Sequence, residues 1–81
     1  MHPSFPPLEL PPVDASLLRR GSPVQTRYFY ADSLPGNKAT VVRVRNTPKG
    51  IWVRCNYGKN QSGQSLLKWM PDDALAHRSE N

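Results

Sequence analysis

The sequence predicts an all-β protein, one small barrel of five short antiparallel strands behind a proline-rich leader. Three observations predict it. Apolar and polar side chains alternate with a period of two through "PVQTRYFY", "ATVVRVR" and "IWVRCNY", as half-buried strands require. Glycine, proline and asparagine break these runs at short intervals, where chain reversals need them. Finally, 81 residues leave room for a single small domain.

The elements follow in order. "MHPSFPPLELPP" holds five prolines in twelve residues and few apolar side chains, so residues 1–21 read as a disordered, partly polyproline-II leader. The same stretch has the composition of a ligand for an aromatic groove, though plain disorder fits it more simply. Within it, "VDASLLRRG" allows one helical turn over 14–20, capped by Asp14 and stopped by Gly21. The barrel spans 22–78, with a short tail at 79–81. "PVQTRYFY" is the first strand, and "ADSLPGNK", with Pro35-Gly36-Asn37, is a long early loop. "ATVVRVR" and "IWVRCNY" are the second and third strands, joined tightly by "TPKG". "GKNQSGQ" is a polar loop, and "SLLKWM" is a fourth strand with weaker alternation. "PDDAL" opens on a proline and two acids, which fits a single 3₁₀ turn before a short last strand.

This outline resembles the SH3-like small barrels. It is similar to Tudor and Agenet domains and to the basic C-terminal DNA-binding domains of retroviral and retrotransposon integrases, over roughly Gly21 to Arg78. The chain also resembles the plasmid-encoded type II dihydrofolate reductases through the spaced frame Gly21-Ser22-Pro23-Val24, Gly50-Ile51-Trp52-Val53 and Pro71-Asp72-Asp73-Ala74-Leu75. In that family a Gln-Ile-Tyr signature precedes the proline and lines the active pore. Here Lys68, Trp69 and Met70 stand at those positions, so the resemblance supports the fold and counts against that activity.

Charge is unevenly placed. The net charge is +5, yet Arg19 to Trp69 holds ten basic residues against Asp32 alone, and the flanks are acidic. A basic body of this kind is suited to a polyanionic partner. Cys55 is the only cysteine, which excludes an internal disulfide and suits a reducing compartment, cytoplasmic or nuclear (or nucleoid). No apolar run reaches the ~20 residues that span a membrane, and no signal peptide is expected.

Catalytic and metal-binding patterns are weak, so the protein reads as non-enzymatic with no cofactor and no metal. His2 falls in the leader and His77 near the C-terminus, with no acid–base pair implied. Asp72 and Asp73 are adjacent, so their carboxylates point apart, and acids are favoured at such turn starts. Cys55 belongs to a buried face, where a thiol behaves as a small hydrophobe.

The hairpin carries the functional signal. A connection over Thr47 to Gly50 sets Asn46 opposite Ile51, Arg45 opposite Trp52, Val44 opposite Val53, Arg43 opposite Arg54 and Val42 opposite Cys55. Val42, Val44, Ile51, Val53 and Cys55 then form core, and Arg43, Arg45, Trp52 and Arg54 one outer surface. Arg45 is placed to stack on Trp52, and Arg43 meets a like charge in Arg54 with no carboxylate nearby. Guanidinium forks and an indole platform match phosphate and base chemistry. The expected function is therefore nucleic-acid binding, to DNA or RNA, with little sequence selectivity. Arg27, Lys38, Lys59 and Lys68 are expected to support it.

The competing reading is a protein-interaction module, in which Tyr28, Tyr30, Trp52, Tyr57 and Trp69 line a peptide groove or a methyl-ammonium cage. For Tyr28 and Trp69 the alternation favours core packing instead. A reductase-like oligomer is the third alternative, and self-association fits a domain this small.

Overall fold

A computed structural model describes residues 6–79, so His2 and the first five residues of the leader lie outside the described residues. The protein is all-β. Five strands, β1 (Pro23–Thr26), β2 (Lys38–Thr47), β3 (Gly50–Lys59), β4 (Ser65–Pro71) and β5 (Leu75–His77), form one antiparallel sheet. Its order is β4-β3-β2-β1-β5, compatible with an SH3-like fold. Asp72–Ala74 forms the expected 3₁₀ turn ahead of β5. Among the described residues no helix is long and apolar enough to cross a membrane.

The core lies on one face of the sheet. Val24, Val41, Val53, Cys55, Met70 and Leu75 are fully buried there. Burying a side chain the size of Met70 or Leu75 contributes ~1.5–3 kcal/mol. The buried hydroxyl of Thr26 meets the Tyr57 phenol at 2.7 Å, which satisfies both groups inside the apolar cluster.

The β2–β3 hairpin keeps the expected register from Asn46 down to Arg43, closed by the Thr47–Gly50 pair. Thr47 braces the turn, its hydroxyl donating to the Gly50 carbonyl at 2.7 Å and accepting the Lys49 N–H at 3.2 Å. Gly50 has φ 126°, a conformation that side chains with a Cβ rarely adopt. Below Arg43 the register shifts, and Val41 rather than Val42 lies opposite Cys55. Val42 is therefore half-buried at a β-bulge, and Val41 takes the core position expected of it. The physical reason is a phase conflict. Ala39 and Val41 supply the apolar face on odd positions and Val44 on an even one, so one extra residue must be accommodated.

β1 is four residues long, where the alternation suggests eight. After Thr26 the Arg27 N–H donates to the Ala74 carbonyl at 2.7 Å, one further step in the β1–β5 register, and the chain then leaves the sheet for the loop. The loop that follows reverses at Ala31 and Asp32, both with positive φ (49° and 62°), inside a Tyr30–Ser33 bridge.

From Leu8 onward the leader is laid against the barrel, a role its composition does not announce. The Leu8 N–H donates to the Arg27 carbonyl at 2.7 Å and the Val13 N–H to the Leu75 carbonyl at 2.9 Å, while Val13 and Leu18 enter the core. Between them Ala15–Leu17 forms a 3₁₀ turn capped by Asp14, whose carboxylate accepts the Ser16 N–H at 3.0 Å and hydroxyl at 2.6 Å. The hydroxyl first and then the N–H of Ser16 hold the Asp14 carboxyl below its ordinary value, with His77 nearby as a smaller cause.

Candidate nucleic-acid interface

Strand pairing assembles the outer face row by row. Residues directly opposite in adjacent strands share a face, so Arg43, Arg54 and Trp69 form one row across β2, β3 and β4. Arg45, Trp52 and Pro71 form the next row, and Thr40, Asn56 and Leu67 flank the first on its other side. Arg43, Arg45 and Trp69 are exposed, and Trp52 and Arg54 are half-buried.

Trp69 does not pack in the core. Met70 takes that role opposite Val53, which turns Trp69 outward. Its indole receives the Arg54 guanidinium at 6.0 Å from the ring centroid. Trp52, expected to stack with Arg45, is tilted 53° against Tyr30 at a centroid distance of 6.4 Å. The guanidinium–indole contact therefore sits one row over, on a tryptophan that the alternation assigns to the interior. Extending the hairpin register one strand further, with Lys68 opposite Cys55, is the signal that exposes it.

Among the described residues, no carboxylate pairs with Arg43, Arg45 or Arg54; the ion pair present is Arg27–Asp73 at 3.4 Å. The Arg43–Arg54 juxtaposition is thus left unrelieved among the described residues. Between exposed groups such repulsion is largely screened beyond ~8–10 Å, so it costs little until a polyanion approaches.

The four supporting cations do not join this face. Lys38 lies at the far end of β2, roughly 20 Å along the strand from Arg45 at the usual rise per residue. It lines two adjoining clefts of ≈ 250 and ≈ 360 Å³ with Tyr57. Lys59 ends β3 on that same side and is exposed.

Lys68 and Arg27 serve as internal clamps. Lys68 shares the inner face with Cys55, and its ammonium donates to the Ala31 carbonyl at 2.8 Å and the Ser33 hydroxyl at 3.0 Å. That group also lies 5.3 Å from the centre of the Tyr57 ring. Arg27 donates from Nε to the Leu10 carbonyl at 2.9 Å and from its terminal nitrogen to the Asp73 carbonyl at 2.6 Å. It thereby ties the docked leader to the 3₁₀ turn.

Tyr28 is half-buried against the core and donates its hydroxyl to the Asp73 carboxylate at 3.0 Å. Burial, and then that hydrogen bond, raise its phenol above the ordinary value. His77 is exposed, and its Nε2 accepts the Asp14 N–H at 3.3 Å. Burial also pushes the Cys55 thiol up to about 12, which leaves it protonated and poorly nucleophilic at neutral pH. In comparisons with known proteins the chain matches no family model, no curated protein and no solved structure.

Proposed function

We propose that the protein is a small non-enzymatic module that binds nucleic acid through the sheet face of Arg43, Arg45, Trp52 and Arg54, extended by Trp69. The observation that carries this reading is the Arg43–Arg54–Trp69 row, where two cations without a carboxylate partner among the described residues lead up to an exposed indole. Guanidinium groups take phosphate oxygens in pairs, and an indole supports a base by stacking for ~1–3 kcal/mol. Among the described residues nothing longer than a 3₁₀ turn is offered to a groove, so contact follows the backbone and is weakly selective for sequence. Titration of duplex and single-stranded oligonucleotides at rising salt tests the reading. The expected log–log slope is about −0.7 to −0.9 per phosphate neutralised, and a slope near zero overturns it.

The Tyr30–Trp52 contact favours a second reading, a peptide-binding surface at the mouth of the early loop. Calorimetry separates the two. Heat on adding a basic or methylated peptide, with none on adding oligonucleotide, selects the peptide.

A further inference from the structure

The sheet ends on two edges, and the described residues cover one of them. At β5 the Val13 N–H reaches the Leu75 carbonyl, so the docked leader blunts that edge. At β4, among the described residues, the backbone is paired to β3 alone. A bare edge is usually protected by a charge, a bulge or a proline within the strand. The β4 sequence is Ser65-Leu66-Leu67-Lys68-Trp69-Met70-Pro71, with its proline at the last position, one charge, and a register shift against β3 confined to its first residues, between Ser65 and Leu67, where the extra residue is on β3. That charge is withdrawn, because the Lys68 ammonium is bonded to Ala31 and Ser33 inside its own subunit. Three large apolar side chains meanwhile stay open to solvent on this one strand, Leu66 and Leu67 at 40% and Trp69 at 37%.

We propose that β4 pairs antiparallel with β4 of a second copy of this chain, about a two-fold axis through Lys68, to give a dimer with a continuous ten-stranded sheet. A two-fold axis perpendicular to the sheet keeps each side chain on its own face, so one residue must lie opposite its own copy. With Lys68 on the axis, Leu67 faces Trp69 of the other copy twice, and Leu66 faces Met70 twice. The exposed pair of Leu67 and Trp69 is then its own apolar complement, while Met70 opposite Leu66 is already buried within its own subunit. The withdrawn ammonium is what allows two lysines to meet at the axis without placing like charges in contact. A strand of another protein finds no free charge on this edge to select it, whereas a second copy matches it residue by residue. This pairing shares Trp69 with the nucleic-acid reading, but its test uses no nucleic acid, so either can fail alone.

Light scattering on the full chain, without nucleic acid and at micromolar concentration, is expected to give twice the 9.1 kDa chain mass. Leu67→Lys, at a position already open to solvent, should return the mass to that of one chain while the far-UV circular dichroism is kept. Mixing a Leu67→Cys chain with a Trp69→Cys chain under mild oxidation should give the mixed disulfide in preference to either self-disulfide, with buried Cys55 taking no part. A monomer mass for the wild-type chain overturns the proposal. So does a dimer that Leu67→Lys leaves intact, or cross-linking without preference for the mixed pair.

Discussion

Arg54 holds its guanidinium over the indole of Trp69, 6.0 Å from carbon to ring centroid. A guanidinium set beside an indole keeps N–H donors for phosphate oxygens. Replacing Trp69 with alanine should therefore remove a stacking platform and loosen Arg54 at once. Oligonucleotide affinity is expected to fall by ~1–3 kcal/mol in a fluorescence anisotropy titration, and Trp69→Phe to recover part of that loss.

Reversing charge on the same row separates binding from folding. In Arg43→Glu/Arg54→Glu the two positions stay opposite each other, so one like-charge pair is exchanged for another and stability should move little. Oligonucleotide binding should be lost, and any remainder should show a log–log salt slope shallower by about 1.5, the share of two phosphates. An unfolded double variant would mean that these side chains belong to the interior.

Lys68 predicts the reverse pattern. Lys68→Met keeps the stem but loses the bonds to Ala31 and Ser33 and the contact with the Tyr57 ring. Chemical denaturation should show a loss of about 1–3 kcal/mol, since hydrogen bonds to a charged group are the stronger kind. Oligonucleotide affinity should stay within a few-fold of the parent, a few-fold being about one screened surface charge.

The reversal at Ala31–Asp32 places two side chains in the left-handed region, at φ 49° and 62°. Two-residue turns with positive φ at both positions favour Asn-Gly. Ala31→Asn/Asp32→Gly should raise the denaturant midpoint, by about 0.5–1.5 kcal/mol in stability, with the slope of the transition unchanged. It also removes the one acid between Arg19 and Trp69, so binding to a polyanion should strengthen or hold.

Alkaline pH should unfold the protein through its interior. Burial lifts the Cys55 thiol from 9.0 to about 12 and raises the Tyr57 phenol, the latter partly offset by its hydrogen bond to Thr26. Both folded-state values lie above those of the unfolded chain, so this stability is complete below pH 9 and drains away as pH climbs towards about 12. Denaturation curves taken across that window should show a steadily falling midpoint. A thiol reagent should label Cys55 only as the protein opens.

The all-β class, the five strands and the hairpin pairing from Arg43 to Asn46 were legible in the sequence, because period-two alternation and turn residues act locally. The bulge was not. Val41 and Val42 are adjacent and identical, so alternation cannot say which faces inward, and only Ala39 upstream and Val44 downstream decide it. Trp69 misled for a related reason, since "SLLKWM" alternates poorly and its phase is set by β3. Arg43, Arg45 and Arg54 read as a face because they lie on paired strands. Arg27, Lys38, Lys59 and Lys68 share only charge with them in the sequence, a property without direction. Where those four point depends on carbonyls and loops distant in the chain.

The bulge at Val42 has a consequence for how the gene can change. Because the apolar phase reverses across this one position, losing its codon would leave Ala39, Val41 and Val44 inward and Arg43 outward. At most sites in a strand, a one-residue deletion turns the remainder inside out. Here the frame-keeping loss of Val42 should cost the sheet some bend and nothing of its inside–outside order.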